Sequence, residues 1–234
     1  MAASRRSLQQ VREIITSAHE DCTPAQKLQF YDRWAQEYEE DVSVLEYNAP
    51  RLVAAVLASR CISNRESKLV LDVACGTGLV AQELLRCGFR LFHGLDGSAR
   101  MLEMAETKKL YQELKQCMLG QGPLPSTSDF YDVVIIVGAL SDGQVPVSVI
   151  HELLRVTKPG GLLCLTTRSN TSNLQYKAEL EHELAALQSS GLCDCITIQN
   201  IEKWEKATSE QEVQGESDYI SGVIYLYKKM ETIS

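Results

Sequence analysis

The stretch that most constrains this chain is Leu69-Val70-Leu71-Asp72-Val73-Ala74-Cys75-Gly76-Thr77-Gly78, followed at once by Leu79-Val80-Ala81-Gln82-Glu83-Leu84-Leu85. A short apolar run closes on an acid and a glycine pair, and a helical spacing of apolar residues begins directly after it. That reads as strand, tight loop and helix. A strand of this kind belongs in a parallel sheet, whose ligands bind in the crevice beyond the strand ends and against the helix N-terminus.

The rest of the chain fits such a sheet. Residues 89–96, 116–119, 131–137 and 162–167 read as further strands, with 131–137 an unbroken apolar run suited to burial on both faces. Helical patterns separate them: one capped by Ser98, and one from about Pro146 to Val156 that the turn Lys158-Pro159-Gly160-Gly161 ends. A long helix over 173–188 precedes strands at 193–204 and 219–229. Between those two lies only the polar stretch 207–218, read as a mobile loop, so they pair as an antiparallel hairpin. The expectation is an α/β fold: a Rossmann-like, seven-stranded, mostly parallel sheet with an antiparallel C-terminal hairpin and a helical N-terminal cap. Residues 1–66 form the cap and 67–234 the ligand-binding domain. In the cap, 4–20 has helical spacing, and Thr23-Pro24 opens a second helix that runs through Tyr38. Phe30, Trp34 and Tyr38 recur every four residues on one face of it, to pack on the body or to close over a ligand. Pro50 opens a third helix through Leu57, and 63–67 is a polar break.

Composition narrows the function. The net charge of −8 gives no basic excess to neutralise phosphates, which argues against general nucleic-acid or anionic-membrane binding. No apolar run is long enough to span a bilayer, and no apolar segment follows Met1-Ala2-Ala3-Ser4-Arg5-Arg6 as in a secretion signal. The expected residence is intracellular and cytoplasmic, with the nucleus left open, and the expected state is a monomer. The eight cysteines are then read as reduced thiols. Cys193 and Cys195 share a strand face without a matching Cys/His pair, so no metal site is expected.

The glycine loop leaves two ligands open. Gly76-Thr77-Gly78-Leu79-Val80-Ala81 matches G-x-G-x-x-A with Asp96 at the spacing for a ribose, the pattern of a nicotinamide oxidoreductase. Asp72, however, stands where a pyrophosphate would lie, unless it only caps the helix. A carboxylate there repels an anion and suits a cation such as a sulfonium with an α-amino group.

Four ordered motifs over residues 30–168 carry a resemblance. Residues 70–78 resemble the first motif of class I S-adenosylmethionine-dependent methyltransferases, and Gly94-Leu95-Asp96-Gly97-Ser98-Ala99-Arg100-Met101-Leu102 the second. Phe130-Tyr131-Asp132-Val133-Val134 resembles the fourth-strand motif, and 153–161 the turn before the fifth strand. The helix with Tyr31-Asp32, Trp34-Ala35 and Tyr38 is similar to the cap of the small-molecule branch.

The resemblance implies S-adenosylmethionine as cofactor, S-adenosylhomocysteine as product and a small-molecule acceptor. Ala74, Cys75, Gly76, Thr77 and Gly78 would approach the methionine part, Asp72 its amino group, and Asp96 both ribose hydroxyls. Gly97, Ser98 and Met101 would flank the adenine. Where the family has an acid and a small residue after the third strand, this chain has Leu119-Gly120-Gln121, which leaves Gln121 or backbone to meet the ring. Gly138 and Ala139 follow the fourth strand, where the methyl faces the acceptor. The Asn/Asp-Pro-Pro-Tyr of enzymes that methylate planar nitrogens is absent there. Tyr31, Trp34, Tyr38, Leu140, Asp142 and Arg168 are the acceptor-side candidates. His19, His93, His151 and His182 read as structural or solvated, so the catalytic residues stay unassigned. A cofactor-binding protein without catalysis, serving as partner or sensor, is the alternative from another class.

Overall fold

The computed structural model describes residues 6–19, 23–208, 212 and 217–231. Seven strands form one sheet: β1 (Leu69–Val73), β2 (Leu91–Asp96), β3 (Glu113–Gln116), β4 (Tyr131–Leu140), β5 (Thr157–Arg168), β6 (Cys193–Lys206) and β7 (Tyr219–Lys229). Their order is β3-β2-β1-β4-β5-β7-β6. The first five are parallel, and β7 runs antiparallel to both β5 and β6. The chain winds outward from β1 to β3, then returns to build β4 and β5 on the other side. That reversal opens a crevice above the carboxyl ends of β1 and β4.

The pleat divides the core. Leu71, Val73, Val134, Ile136, Leu163 and Leu165 face α7 (Val149–Val156) and α8 (Leu174–Ser189). Val70, Phe92, Val133, Ile135 and Cys164 face α4 (Ala49–Arg60) and α5 (Leu79–Arg86). β1 and β4 therefore carry apolar residues on both sides, as strands buried on two faces must. Cys193 and Cys195 pack against the same cluster from one strand face. Among the described residues no His, Cys, Asp or Glu cluster is placed to hold a metal, and no helix is long and apolar enough to cross a membrane.

The N-terminal elements are α1 (Leu8–His19), α2 (Pro24–Trp34) and α3 (Tyr38–Val44), with their own core of Val11, Ile15, Trp34, Val42 and Leu45. Thr23 and Gln26 make a reciprocal capping box at α2, with Pro24 in its first turn. The single helix expected through Tyr38 is instead two. Trp34 donates its indole N–H to buried Asp41 of α3 at 2.7 Å, and Arg6 reaches the same oxygen at 2.6 Å. The break falls at residues 35–37, and the buried carboxylate of α3 joins Trp34 of α2 to Arg6 across it. The aromatic stripe survives the break, with the Trp34 ring 5.3 Å from Phe30 and 4.9 Å from Tyr38.

Three further boundaries differ. β3 lies at 113–116, not 116–119, because its pairing with β2 ends at Asp96↔Gln116. Cys117 then leaves the sheet, its N–H bonded to the Asp96 carbonyl at 2.8 Å. α7 begins three residues after Pro146. β5 already pairs with β4 at Thr157, and the turn 158–161 is a bulge between Tyr131↔Thr157 and Val133↔Leu162. α6 (Ala99–Thr107) starts on Ser98 as expected. Most of the expected loop 207–218, Cys22 and the ends of the 4–20 helix lie outside the described residues.

Candidate active site

The loop after β1 turns sharply. Ala74 and Gly76 have φ of 55° and Gly78, the N-cap of α5, has φ of 89°. Cys75 N–H bonds the Leu95 carbonyl at 3.0 Å, which ties the loop to the end of β2. There the Asp96 carboxylate accepts Gly76 N–H on Oδ2 and Ser98 N–H on Oδ1, both at 2.8 Å. Burial pushes the Asp96 carboxyl above its usual range, and the two N–H donors pull the other way. Ser98 Oγ accepts Met101 N–H at 3.1 Å and so caps α6. Asp96, Gly76 and Ala74 line a cavity of about 270 Å3, together with Gly97, Ser98, Met101 and residues 117–119.

The same cavity continues under the N-terminal helices. Tyr31, Trp34 and Tyr38 form part of its wall, and Gly138 and Ala139 border it from the end of β4. Tyr47 covers Gly138 so closely that a Cβ there would collide with its hydroxyl. At the far end Arg168 Nη2, from the last residue of β5, lies 2.9 Å from Glu205 Oε1 of β6. Glu205 is 3% exposed and Trp204 beside it 1%, yet both line the cavity. Consecutive residues of a regular strand face opposite ways. The irregularity between Ile201↔Gly222 and Glu205↔Ile220 sets four steps of β6 against two of β7, and turns both side chains inward.

A methyltransferase-domain family model matches residues 71–165. Human methyltransferase-like protein 27, from the Williams–Beuren region, is 53% identical over 197 residues, which cover 84% of this chain and 80% of that protein. The chain belongs to the class I S-adenosylmethionine-dependent methyltransferases. The demethylmenaquinone methyltransferase of Halalkalibacterium halodurans is 35% identical over 113 residues, 46% of each chain, so the methyltransferase spans about half the length of such quinone-modifying relatives. Among solved structures, an S-adenosylmethionine-dependent methyltransferase from Thermotoga maritima shares the fold at a TM-score of 0.55, with 19% identity over 86% of this chain and 98% of that one. Family membership closes the nicotinamide reading of the glycine loop.

The residues present fit the cofactor of this family. Each Asp96 oxygen accepts one backbone N–H, which leaves lone pairs for two ribose hydroxyls. Nothing lies within 4 Å of where a Cβ on Gly76 would stand, so backbone is open to a ligand there. Met101, Met118 and Leu119 supply an apolar slot beside Gly97.

Not every expected residue of the methyltransferase faces the cavity. Asp72 is 1% exposed and lies beneath the loop, where its carboxylate accepts the Tyr111 hydroxyl at 2.8 Å. Cys75, Thr77 and Gly78 shape the turn from below, and Tyr111 stands against Gly78. Gly120 turns away against Pro146, and Gln121 is exposed. Leu140 is buried in the core, and exposed Asp142 only donates its N–H to Asn173. Phe30 stays within the helical core of the cap. His93 lies against Tyr131 and Glu113, and burial lowers its pKa. His151 pairs with Glu183 on the surface. Sequence reasoning missed Tyr47, Gln144, Trp204 and Glu205. The apolar positions of 193–204 mark a strand, but no local signal marks the bulge that aims Glu205 inward.

Proposed function

We propose that this methyltransferase moves a methyl group from S-adenosylmethionine to a small-molecule acceptor held under the N-terminal helices. One observation carries the reading: a single cavity joins the ribose-binding Asp96 and the open Gly76 backbone to the aromatic wall of Tyr31, Trp34 and Tyr38. The bound cofactor supplies an electrophilic methyl on a sulfonium. The chain supplies position. Gly138 and Tyr47 bound the space between the two ends, and the apolar wall keeps water from competing as nucleophile. Holding two reactants in line is worth several kcal/mol, on the order of 7–11 in well-oriented systems.

The human relative's name gives no acceptor, and the quinone-modifying relatives match only part of their length, so a small aromatic acceptor rests on the cavity wall. Titration calorimetry with S-adenosylhomocysteine tests the cofactor end. Binding is expected in the wild type, with at least a tenfold loss in Asp96→Ala, since charge-assisted hydrogen bonds contribute about 1.5–3 kcal/mol. No heat of binding to the wild type sinks the proposal. A metabolite extract with methyl-labelled S-adenosylmethionine tests the acceptor end. Cofactor binding with no labelled product from any extract would favour the partner or sensor role.

A further inference from the structure

Three features meet at the acceptor end. Glu205 is almost fully buried in the cavity wall, and its Oε1 pairs with Arg168 Nη2 at 2.9 Å in a geometry that falls short of a well-aligned hydrogen bond. A carboxylate oxygen so placed keeps a lone pair for a further donor. Arg168 is in turn under the influence of a second carboxylate, Glu212, which also accepts from Thr208 N–H at 2.9 Å and Asn170 Nδ2 at 3.0 Å. The guanidinium is therefore paired with Glu205 in a region that holds two carboxylates, whose charge an anionic acceptor would meet, and the Lys27 ammonium, which also lines the cavity, donates to the Gly143 carbonyl.

The strip bearing Glu205 is fixed against the residue that covers Gly138. Asn48 N–H bonds the Trp204 carbonyl at 3.0 Å, and Lys206 N–H bonds the Leu45 carbonyl at 2.8 Å. Between them Tyr47 and Trp204 meet edge to face at 6.2 Å. Glu205, Tyr47 and Gly138 thus border one space.

We propose that Glu205 is a catalytic residue of this methyltransferase, and that its acceptor is a small neutral or cationic molecule whose nucleophile carries a proton, an O–H or N–H donating to Glu205 Oε1. This rests on the methyl-transfer reading above. The lone pair of the acceptor oxygen or nitrogen forms the bond to the methyl carbon of S-adenosylmethionine. The carbon–sulfur bond breaks with its pair going to sulfur, and the acceptor proton passes to Glu205. Arg168 is a positioning residue: it holds the carboxylate in the wall. The charged and titratable groups around Glu205 are its partner Arg168 of β5, Glu212, and Tyr31 of α2, Tyr38 of α3 and Tyr47, which line the same cavity. Burial raises the Glu205 carboxyl above its ordinary range and Arg168 opposes it, which leaves a better proton acceptor than a solvated glutamate.

The test begins by identifying the product formed from a metabolite extract with methyl-labelled S-adenosylmethionine. Mass spectrometry distinguishes the two sources of the proton, an O-methyl from an N-methyl product, and either supports the proposal. Methylation of a carboxylate, a phosphate, a carbon or a thioether overturns it. With the acceptor known, Glu205→Gln is expected to lower kcat on the order of 100-fold, the usual worth of a positioned base. It should also abolish the acidic limb of the kcat/KM profile, which a purely structural Glu205 would leave in place. Glu205→Asp keeps a charge for Arg168 but withdraws the oxygen by one methylene. It should fold as the wild type, keep the limb and lose about tenfold in kcat. Wild-type rates in both variants overturn the proposal. S-adenosylhomocysteine binding separates the failures: intact binding with unimpaired variants rejects Glu205 alone, whereas no binding to the wild type rejects the methyl-transfer reading with it.

Discussion

Ser98 Oγ donates a 2.5 Å hydrogen bond to Asp32 Oδ1, so a carboxylate of α2 sits on the N-terminus of α6. Arg100 N–H reaches the same oxygen at 3.3 Å. An acid there complements the partial positive charge of the helix end. Ser98 is also two residues from Asp96, so the bond ties the N-terminal helices to the Asp96 end of the cavity.

Asp32→Ala is therefore expected to cost about 1.5–3 kcal/mol in urea unfolding, the worth of a hydrogen bond to a charged group. It should weaken S-adenosylhomocysteine binding about tenfold by calorimetry. In the wild type, the ligand should slow hydrogen exchange over residues 25–48, and the effect should shrink in the variant. Equal protection of that segment with and without ligand would contradict the coupling.

Asp72 gives stability a pH dependence. Burial lifts its carboxyl to about 7, against the pull of the Tyr111 hydroxyl. The folded chain then holds this proton more tightly than the unfolded chain, whose aspartates titrate near 3.9. Between about pH 4 and pH 7 the native state carries the extra proton, so this contribution is full below pH 4 and is lost as pH rises through 7. Asp72→Asn removes the titration. The variant should gain on the wild type by on the order of 3 kcal/mol between pH 4 and pH 8 in the difference of their unfolding free energies. A pH-independent difference would refute the assignment.

Gly138 has a φ of 77°, and a Cβ built on it meets the Tyr47 hydroxyl. Gly138→Ala should lose about 2–3 kcal/mol from overpacking and left-handed backbone together. Adding Tyr47→Phe removes the oxygen in the way and should recover about half. Thermal unfolding of the two single variants and the double variant closes the cycle, and strict additivity would show that the two residues do not touch.

Ala74 adopts the left-handed conformation at φ 55° in the loop that borders the cofactor end. A Cβ in that region costs about 1–2 kcal/mol. Ala74→Gly should raise stability by about 1 kcal/mol, after the larger entropy a glycine loses on folding, with S-adenosylhomocysteine affinity held within threefold. A destabilised Ala74→Gly would mean that the methyl contributes packing the strain does not outweigh.

The sequence by itself determined the sheet and the glycine loop at its centre. Alternating apolar runs and helical spacings are local signals, and they located six of the seven strands within a few residues. The glycine loop and Asp96 are legible because close backbone approach and a carboxylate at a strand end are demanded of those positions whatever surrounds them. The tertiary structure alone decided the acceptor end. The long cap helix is two helices, with Asp41 of the second buried against Trp34 of the first and Arg6. The irregular pairing of β6 with β7 turned Trp204 and Glu205 into one wall, and backbone hydrogen bonds across 156 and 161 residues of chain placed Tyr47 beside them. The placement of β6 is set by which partners a bulged strand finds at long range, and periodicity in the chain carries no record of it.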